Sequence, residues 1–152
     1  MTSYIASMRE KVGHSPILQC GASVILLNKS GEVLLQKRRD NGTWGYHGGS
    51  VELDEEVESA AKRELFEETG LTAEKLELFG VFSGKEMHCV YPNGDEVSNV
   101  DIVYICRDWS GTPRPQESEV SDLRFFAIND LPDPIFPPNI PALKKLKETF
   151  SR

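Results

Sequence analysis

The sequence has no apolar run long enough to cross a bilayer. Stretches such as residues 24–27 fall far short of the roughly 20 residues that a spanning helix needs. Cysteine is scarce and badly placed for pairing. Cys20, Cys89 and Cys106 are odd in number, widely scattered and without CxxC spacing, which excludes a disulfide framework and suits a reducing cytosol. Residues 1–13 include Arg9, Glu10 and Lys11 with no apolar h-region after them, so they do not read as a secretory signal. The expected location is cytoplasmic. Positive charge is also in deficit, with 17 Lys and Arg against 24 Asp and Glu, a net charge of −7. A chain so acidic lacks the basic face of a nonspecific nucleic-acid binder, so neither nucleic acid nor membrane is expected as a partner. It can still handle phosphates where metal ions supply the missing positive charge. Repeats, low-complexity blocks and long linkers are absent as well. With 39% hydrophobic and 27% charged residues, positions 1–152 read as one globular domain.

The elements follow from periodicity and turn chemistry. Residues 3–11 suit a short helix. Residues 19–27 suit a strand, 28–31 (Asn-Lys-Ser-Gly) a turn in which Gly31 takes positive φ, and 32–38 the returning strand. A glycine-rich loop at 41–50 precedes a helix from about 55 to 69, which Gly70 ends. Residues 76–87 read as one long strand, 92–95 as a turn and 100–107 as a strand rich in Val, Ile and Tyr. A polar loop at 111–121, a short strand at 123–128 and a helix at 142–150 entered through Pro141 complete the chain. Strands interleaved with few helices predict an α/β/α sandwich around a mixed sheet.

The helix after the glycine loop carries its charges on the wrong face. At about 100° per residue, Val57, Ala61 and Leu65 form the apolar stripe that should meet the core. Glu64 and Glu68 fall within or beside that stripe, and Glu67 lies at its edge. Glu64 neighbours both Glu67 and Glu68, at i+3 and i+4. Carboxylates crowded near a buried face repel one another and resist desolvation. A cation relieves both problems, and oxygen ligands select Mg²⁺, Mn²⁺ or Ca²⁺ over zinc. Arg63 is placed to orient and partly neutralise the acids, through Glu55.

The same segment reads Gly49, five residues, Glu55, seven residues, then Arg63-Glu64-Leu65-Phe66-Glu67-Glu68-Thr69-Gly70-Leu71. It resembles the Nudix box, GX5EX7REUXEEXGU with U a bulky aliphatic, at every specified position. Ordinary residue frequencies produce such a match roughly once in 10¹⁰ starts. The box covers residues 49–71, and the Gly-Thr-Trp-Gly approach at 42–45 resembles the lead-in often seen before it. One departure stands out: many members have Pro-Gly-Gly at the box entrance, where this sequence has His47-Gly48-Gly49.

The resemblance implies a Nudix-type α/β/α sandwich with a catalytic loop–helix–loop, and MutT-like hydrolysis of a nucleoside diphosphate derivative by water attack on phosphorus. It implies Mg²⁺, or Mn²⁺, held by Glu64, Glu67, Glu68 and the Gly48 carbonyl, with Arg63 supporting them. The general base stays open between Glu64 and an acid of the later loop, Glu117 or Glu119, with Glu119 favoured. Arg38, Arg39, Trp44 and His47 are candidate substrate contacts; Trp44 reads better as core, and His47 as an exposed loop residue. ADP-ribose, oxidised nucleoside triphosphates, dinucleoside polyphosphates and nucleotide sugars all remain candidate substrates. Homodimers are common among similar proteins. The rival readings are an isoprenoid-diphosphate isomerase, which would use a cysteine and a glutamate, and a non-catalytic nucleotide sensor.

Overall fold

The stretch from Ala22 to Leu27 is buried at every position, which marks a strand covered on both faces. The computed structural model describes residues 3–150 and places that strand at the centre of the molecule. In chain order the elements are α1 (Tyr4–Val12), β1 (Ile17–Leu26), β2 (Val33–Arg38), β3 (Trp44–Gly45), β4 (His47–Ser50) and α2 (Val57–Thr69). They continue with β5 (Thr72–Phe82), β6 (His88–Val90), β7 (Glu96–Ser110), β8 (Val120–Phe126) and α3 (Ile140–Phe150). Single 3₁₀ turns lie at Lys85–Met87 and Pro137–Asn139.

A mixed sheet runs in the order β4-β1-β7-β5, with β1 parallel to β7 and the other neighbours antiparallel. β6 continues the β5 edge along the start of β7. A smaller antiparallel sheet, β3-β2-β8, completes the middle layer. Side chains leave that layer in two directions. Ala22, Val24, Leu26, Leu34 and Cys106 pack with Ala60, Ala61 and Leu65 of α2. Ile25, Leu27, Val33, Leu35, Val103 and Ile105 pack with Ala142, Leu143 and Leu146 of α3. The alternation of neighbouring residues between the two clusters is the period-two signature of a strand. The expected α/β/α sandwich is therefore the observed architecture.

Several element boundaries differ from the sequence expectation, each for a local reason. The turn at residues 28–31 forms, with Asn28 Oδ1 accepting from the Ser30 and Glu32 amides. Beyond one bridge, Leu27 to Val33, β2 does not return along β1. Both edges of β1 are already taken by β4 and β7, so β2 pairs with β3 and β8 instead. The strand expected over 76–87 breaks after Phe82, where Gly84 adopts a φ of 102°. β7 outgrows its expected 100–107 at both ends, because its first residues pair with β6 and its last with β5. The glycine loop contains two short strands, β3 and β4, that glycine content hides. At the N-terminus, Ser3 caps α1 by accepting from the Ala6 amide. No helix among the described residues is long and apolar enough to cross a membrane.

Candidate active site

Helix α2 buries Ala60, Ala61, Leu65, Glu68 and Thr69, so one glutamate does sit on its core face. Glu68 is only 8% exposed. Its Oε1 accepts from the Gly48 amide at 3.0 Å and its Oε2 from the Gln36 side-chain amide at 3.0 Å. Neither partner carries charge. Burial therefore pushes the Glu68 carboxyl up to about 8, and the nearby negative charges of Glu64 and Glu119 push the same way against those two hydrogen bonds. A buried anion without a counter-ion is costly, and a cation at this position would cancel that cost.

Arg63 gathers the other acids. Its Nε and Nη2 make a bidentate pair with Glu55 at 2.8 and 2.9 Å, and Nη1 reaches Glu64 at 2.9 Å. Nη2 also donates to the Ser50 carbonyl at 3.2 Å. The Glu55 carboxyl is held below the usual carboxylate range, chiefly by its hydrogen bond from Arg63. Glu64 moves the opposite way, because burial outweighs the contact with Arg63. α2 begins at Val57 rather than at 55, which leaves Glu55 in the preceding loop, where it can meet Arg63 from outside the helix. Glu67 is half exposed and lies 3.4 Å from Arg63.

The two glycines of β4 lie directly beside β1, Gly48 opposite Ser23 and Gly49 opposite Ala22. A side chain at Gly48 would meet the Ala22 carbonyl at 2.7 Å, and one at Gly49 would meet the Glu64 carboxylate at 2.5–2.6 Å. Only glycine lets strand and helix approach this closely. The residues around α2 thus supply carboxylates from Glu64, Glu67 and Glu68 beside the Gly48 backbone, an oxygen-only set suited to a hard divalent cation. Among the described residues, no three acidic, histidine or cysteine side chains already form a cage, and Arg63 engages both Glu64 and Glu67.

Beside these groups opens a cavity of about 580 Å³. Gly48, Gly49, Glu68 and Glu119 line it, together with Arg38, Arg39, Tyr46, Asp101, Phe136 and Asn139. Arg38 is held bidentately by Asp40, at 3.0 and 2.8 Å, over the rings of Tyr91 and Phe136. Arg39 is tied to the loop at 111–119 through the Glu117 carbonyl, and its own amide donates to the Glu119 carbonyl. That loop packs on the end of α2, with the Arg114 and Gln116 amides donating to the carbonyls of Thr69 and Glu68. Glu119 is thereby brought to the cavity beside Glu68; Glu117 contributes its backbone and is not among the lining residues.

Of the two candidate contacts nearest the box entrance, Trp44 follows its favoured core reading and His47 needs correction. Trp44 is buried in the α3-side core against Phe126, ring centroids 5.0 Å apart, and does not line the cavity. His47 is neither an exposed loop residue nor aimed at substrate. It is fully buried in β4, Nδ1 lies 2.9 Å from Gln36 Oε1 and Nε2 lies 3.2 Å from the Leu34 carbonyl. Burial lowers its pKa to about 4, so the ring is neutral near pH 7.

Other cavity residues escaped the sequence reading. Asp101 is buried and accepts from the Ser23 and Tyr46 hydroxyls at 2.7 and 2.8 Å. Asn139 accepts from the Tyr46 amide at 3.0 Å, and Gln36 reaches Glu68. Asp101 lies within an apolar strand and did leave a trace, as an acid at a position whose neighbours are Val and Ile.

Comparison with known proteins agrees with this geometry. The family model described as the NUDIX domain matches residues 18–146. The chain belongs to the Nudix family. A MutT-like protein from Streptomyces ambofaciens is 37% identical over 82 residues, covering 54% of this chain and 53% of that protein. An ADP-ribose pyrophosphatase from Methanocaldococcus jannaschii is 36% identical over 110 residues, covering 70% and 61%. The chain thus spans about half to three-fifths of these two relatives' length. Among solved structures, a MutT Nudix hydrolase from Burkholderia pseudomallei superposes with a TM-score of 0.72 at 32% identity, covering 86% of this chain and 97% of that one. Nudix proteins generally use a divalent metal, which fits the oxygen ligands around Glu68.

Proposed function

We infer that this Nudix protein is a Mg²⁺- or Mn²⁺-dependent pyrophosphohydrolase that cleaves the diphosphate linkage of a nucleoside diphosphate derivative. The observation that carries this reading is the Glu68 carboxyl, buried with only uncharged hydrogen-bond partners at the edge of a cavity large enough for a nucleotide. Glu64, Glu67, Glu68 and the Gly48 carbonyl would hold the cation. When bound, it supplies charge neutralisation on the phosphate oxygens and lowers the pKa of water.

The chain's own residues do the rest. Arg63 holds Glu64 against the entrance strand and limits its rotation. Arg38 and Arg39 place two guanidinium groups on the cavity wall, where phosphate oxygens can accept from them. Glu119, beside Glu68 and exposed to solvent, is the residue assigned to take the proton from the attacking water. Glu64 is less suited, because one of its oxygens is already engaged by Arg63. The far part of the cavity, with Tyr46, Asp101, Phe136 and Asn139, offers polar groups and an aromatic ring to the nucleoside. The isomerase alternative loses support, since none of the three cysteines lines the cavity.

Relatives point to different substrates: one is named ADP-ribose pyrophosphatase, and another, from Bacillus subtilis, putative 8-oxo-dGTP diphosphatase. Mass-spectrometric product analysis over ADP-ribose, (d)NTPs and their 8-oxo forms, dinucleoside polyphosphates and nucleotide sugars tests the reading. Metal-dependent release of a nucleoside monophosphate, lost in Glu68→Gln, is the expected result. A folded protein that binds Mn²⁺ and turns over none of these would overturn it.

A further inference from the structure

The residue that departs from the usual box entrance lies behind the candidate metal ligand, and its contacts form a directed chain. Leu34 and Gln36 are on β2, His47 is on β4 and Glu68 is on α2, so three elements meet at these side chains. Gln36 is 8% exposed and bridges the other two side chains, its Nε2 donating to Glu68 Oε2 at 3.0 Å and its Oε1 lying 2.9 Å from His47 Nδ1. His47 is fully buried, and both of its ring nitrogens face oxygen atoms, those of Gln36 and Leu34. A neutral imidazole carries one N–H, so it can donate to only one of them.

The direction of the Gln36 amide and the two contact lengths together assign it. A carboxylate that holds a cation is an acceptor only, so Gln36 must present its NH₂ to Glu68 and its carbonyl to His47. Both ring nitrogens of His47 then face acceptors, and the shorter contact, 2.9 Å at Nδ1 against 3.2 Å at Nε2, assigns the proton to Nδ1. The reverse orientation would aim the Gln36 carbonyl at the Glu68 oxygens, and two acceptors repel.

We propose that His47 and Gln36 are positioning residues: Nδ1–H of His47 fixes the Gln36 amide, which fixes the rotamer of the Glu68 carboxylate for the cation. The inference rests on the metal role assigned to Glu68 under the proposed function, but not on any substrate. Groups that orient metal ligands typically influence metal affinity or activity by 10–100-fold when lost.

Three substitutions separate this role from simple packing. Asn places its amide nitrogen where Nδ1 of histidine lies, whereas Gln places its own nearer Nε2. Mn²⁺ affinity, measured by EPR on folded protein without nucleotide, is therefore expected to stay within about 3-fold of wild type in His47→Asn. It should fall by roughly 10–100-fold in His47→Gln and Gln36→Met. Wild-type affinity in folded His47→Gln, or equal loss in all three, overturns the proposal. A second measurement does not depend on variants folding: the imidazole ¹⁵N shifts of the Mg²⁺-loaded wild type should report the Nδ1–H tautomer, and Nε2–H would overturn it. These readouts need no turnover. A null substrate panel alongside the predicted affinities would sink the hydrolase reading alone, whereas a wild type without Mn²⁺ affinity would sink both.

Discussion

The Gly49 Cα lies so close to the Glu64 carboxylate that a methyl group there would sit 2.5 Å from Glu64 Cδ. The obstructing atoms are the far end of a side chain, so the fold can yield at small cost while the carboxylate cannot keep its place. Gly49→Ala should therefore retain a melting temperature within a few degrees of wild type and lose on the order of 10²-fold in kcat/KM, as an ångström-scale misplacement implies. Steady-state kinetics beside thermal unfolding decide it; unchanged kinetics would show that Glu64 does not need this position.

Gly48 faces backbone instead. A methyl group there would meet the Ala22 carbonyl at 2.7 Å and Ser23 Cα at 2.8 Å, and neither can swing aside. Gly48→Ala must push β4 off β1, and the expected loss is about 1–3 kcal/mol of stability, read from urea denaturation. The two neighbouring glycines should thus separate by stability, lost in Gly48→Ala and kept in Gly49→Ala. Equal stability of both alanine variants would contradict this account.

How much of this was legible beforehand depends on the range of each interaction. The acids of α2 declare themselves because 3.6-residue periodicity puts Glu64 and Glu68 against Leu65 and Ala61, a conflict visible without coordinates. Arg63 and Glu55 were legible for the same reason: both belong to one short loop–helix segment. The favoured core reading of Trp44 holds, whereas that of His47 as an exposed loop residue does not, because nothing local reveals that residues 44–50 form strands; its burial comes from the pairing of β4 with β1, which is distant in sequence. Gln36, Asp101 and Asn139 went unread likewise, since each gains its meaning from partners between 11 and 93 positions away.

Arg63 offers a test of geometry against charge. Its bidentate pair with Glu55 needs the planar fork of a guanidinium, and an ammonium cannot make both bonds. Arg63→Lys, charge conserved, should cost about 1–3 kcal/mol in chemical denaturation. A double-mutant cycle with Glu55→Gln should return a coupling of about 1 kcal/mol or more, because the two side chains are in direct contact. Additive effects would mean that the pair stabilises nothing.

Glu67 and Glu68 are assigned the same cation, yet their surroundings differ: one is half exposed and the other 8% exposed. Glutamine at either position should lower kcat by about 10²–10⁴, or roughly 3–5 kcal/mol of transition-state stabilisation. The metal-free proteins should differ in the opposite respect. Glu67→Gln leaves stability nearly unchanged, whereas Glu68→Gln raises it near neutral pH, because a glutamine is buried without the proton uptake that Glu68 requires on folding. A wild-type kcat in either variant would remove that residue from the metal site.

The pH dependence of the metal-free protein follows from two buried groups that act in opposite directions. Glu68 has its folded pKa raised to about 8, so between about 4.5 and 8 the folded state holds a proton that the unfolded state has released. Stability therefore falls as pH rises through that window. His47 has its folded pKa lowered to about 4 from 6.5, so over that lower window the unfolded state binds more protons and stability rises with pH. The two slopes oppose one another below 6.5, and above it only the Glu68 slope continues. From pH 6.5 to 8 the metal-free protein should lose up to about 2 kcal/mol, at 1.36 kcal/mol per pH unit. Thermal unfolding across that range, with and without Mg²⁺, reads it directly. The decline should vanish in Glu68→Gln and shrink when Mg²⁺ is present, because a cation bound only to the folded carboxylate favours the ionised native state. A decline of equal size in wild type and Glu68→Gln would mean that another group controls it and that Glu68 is already ionised without metal.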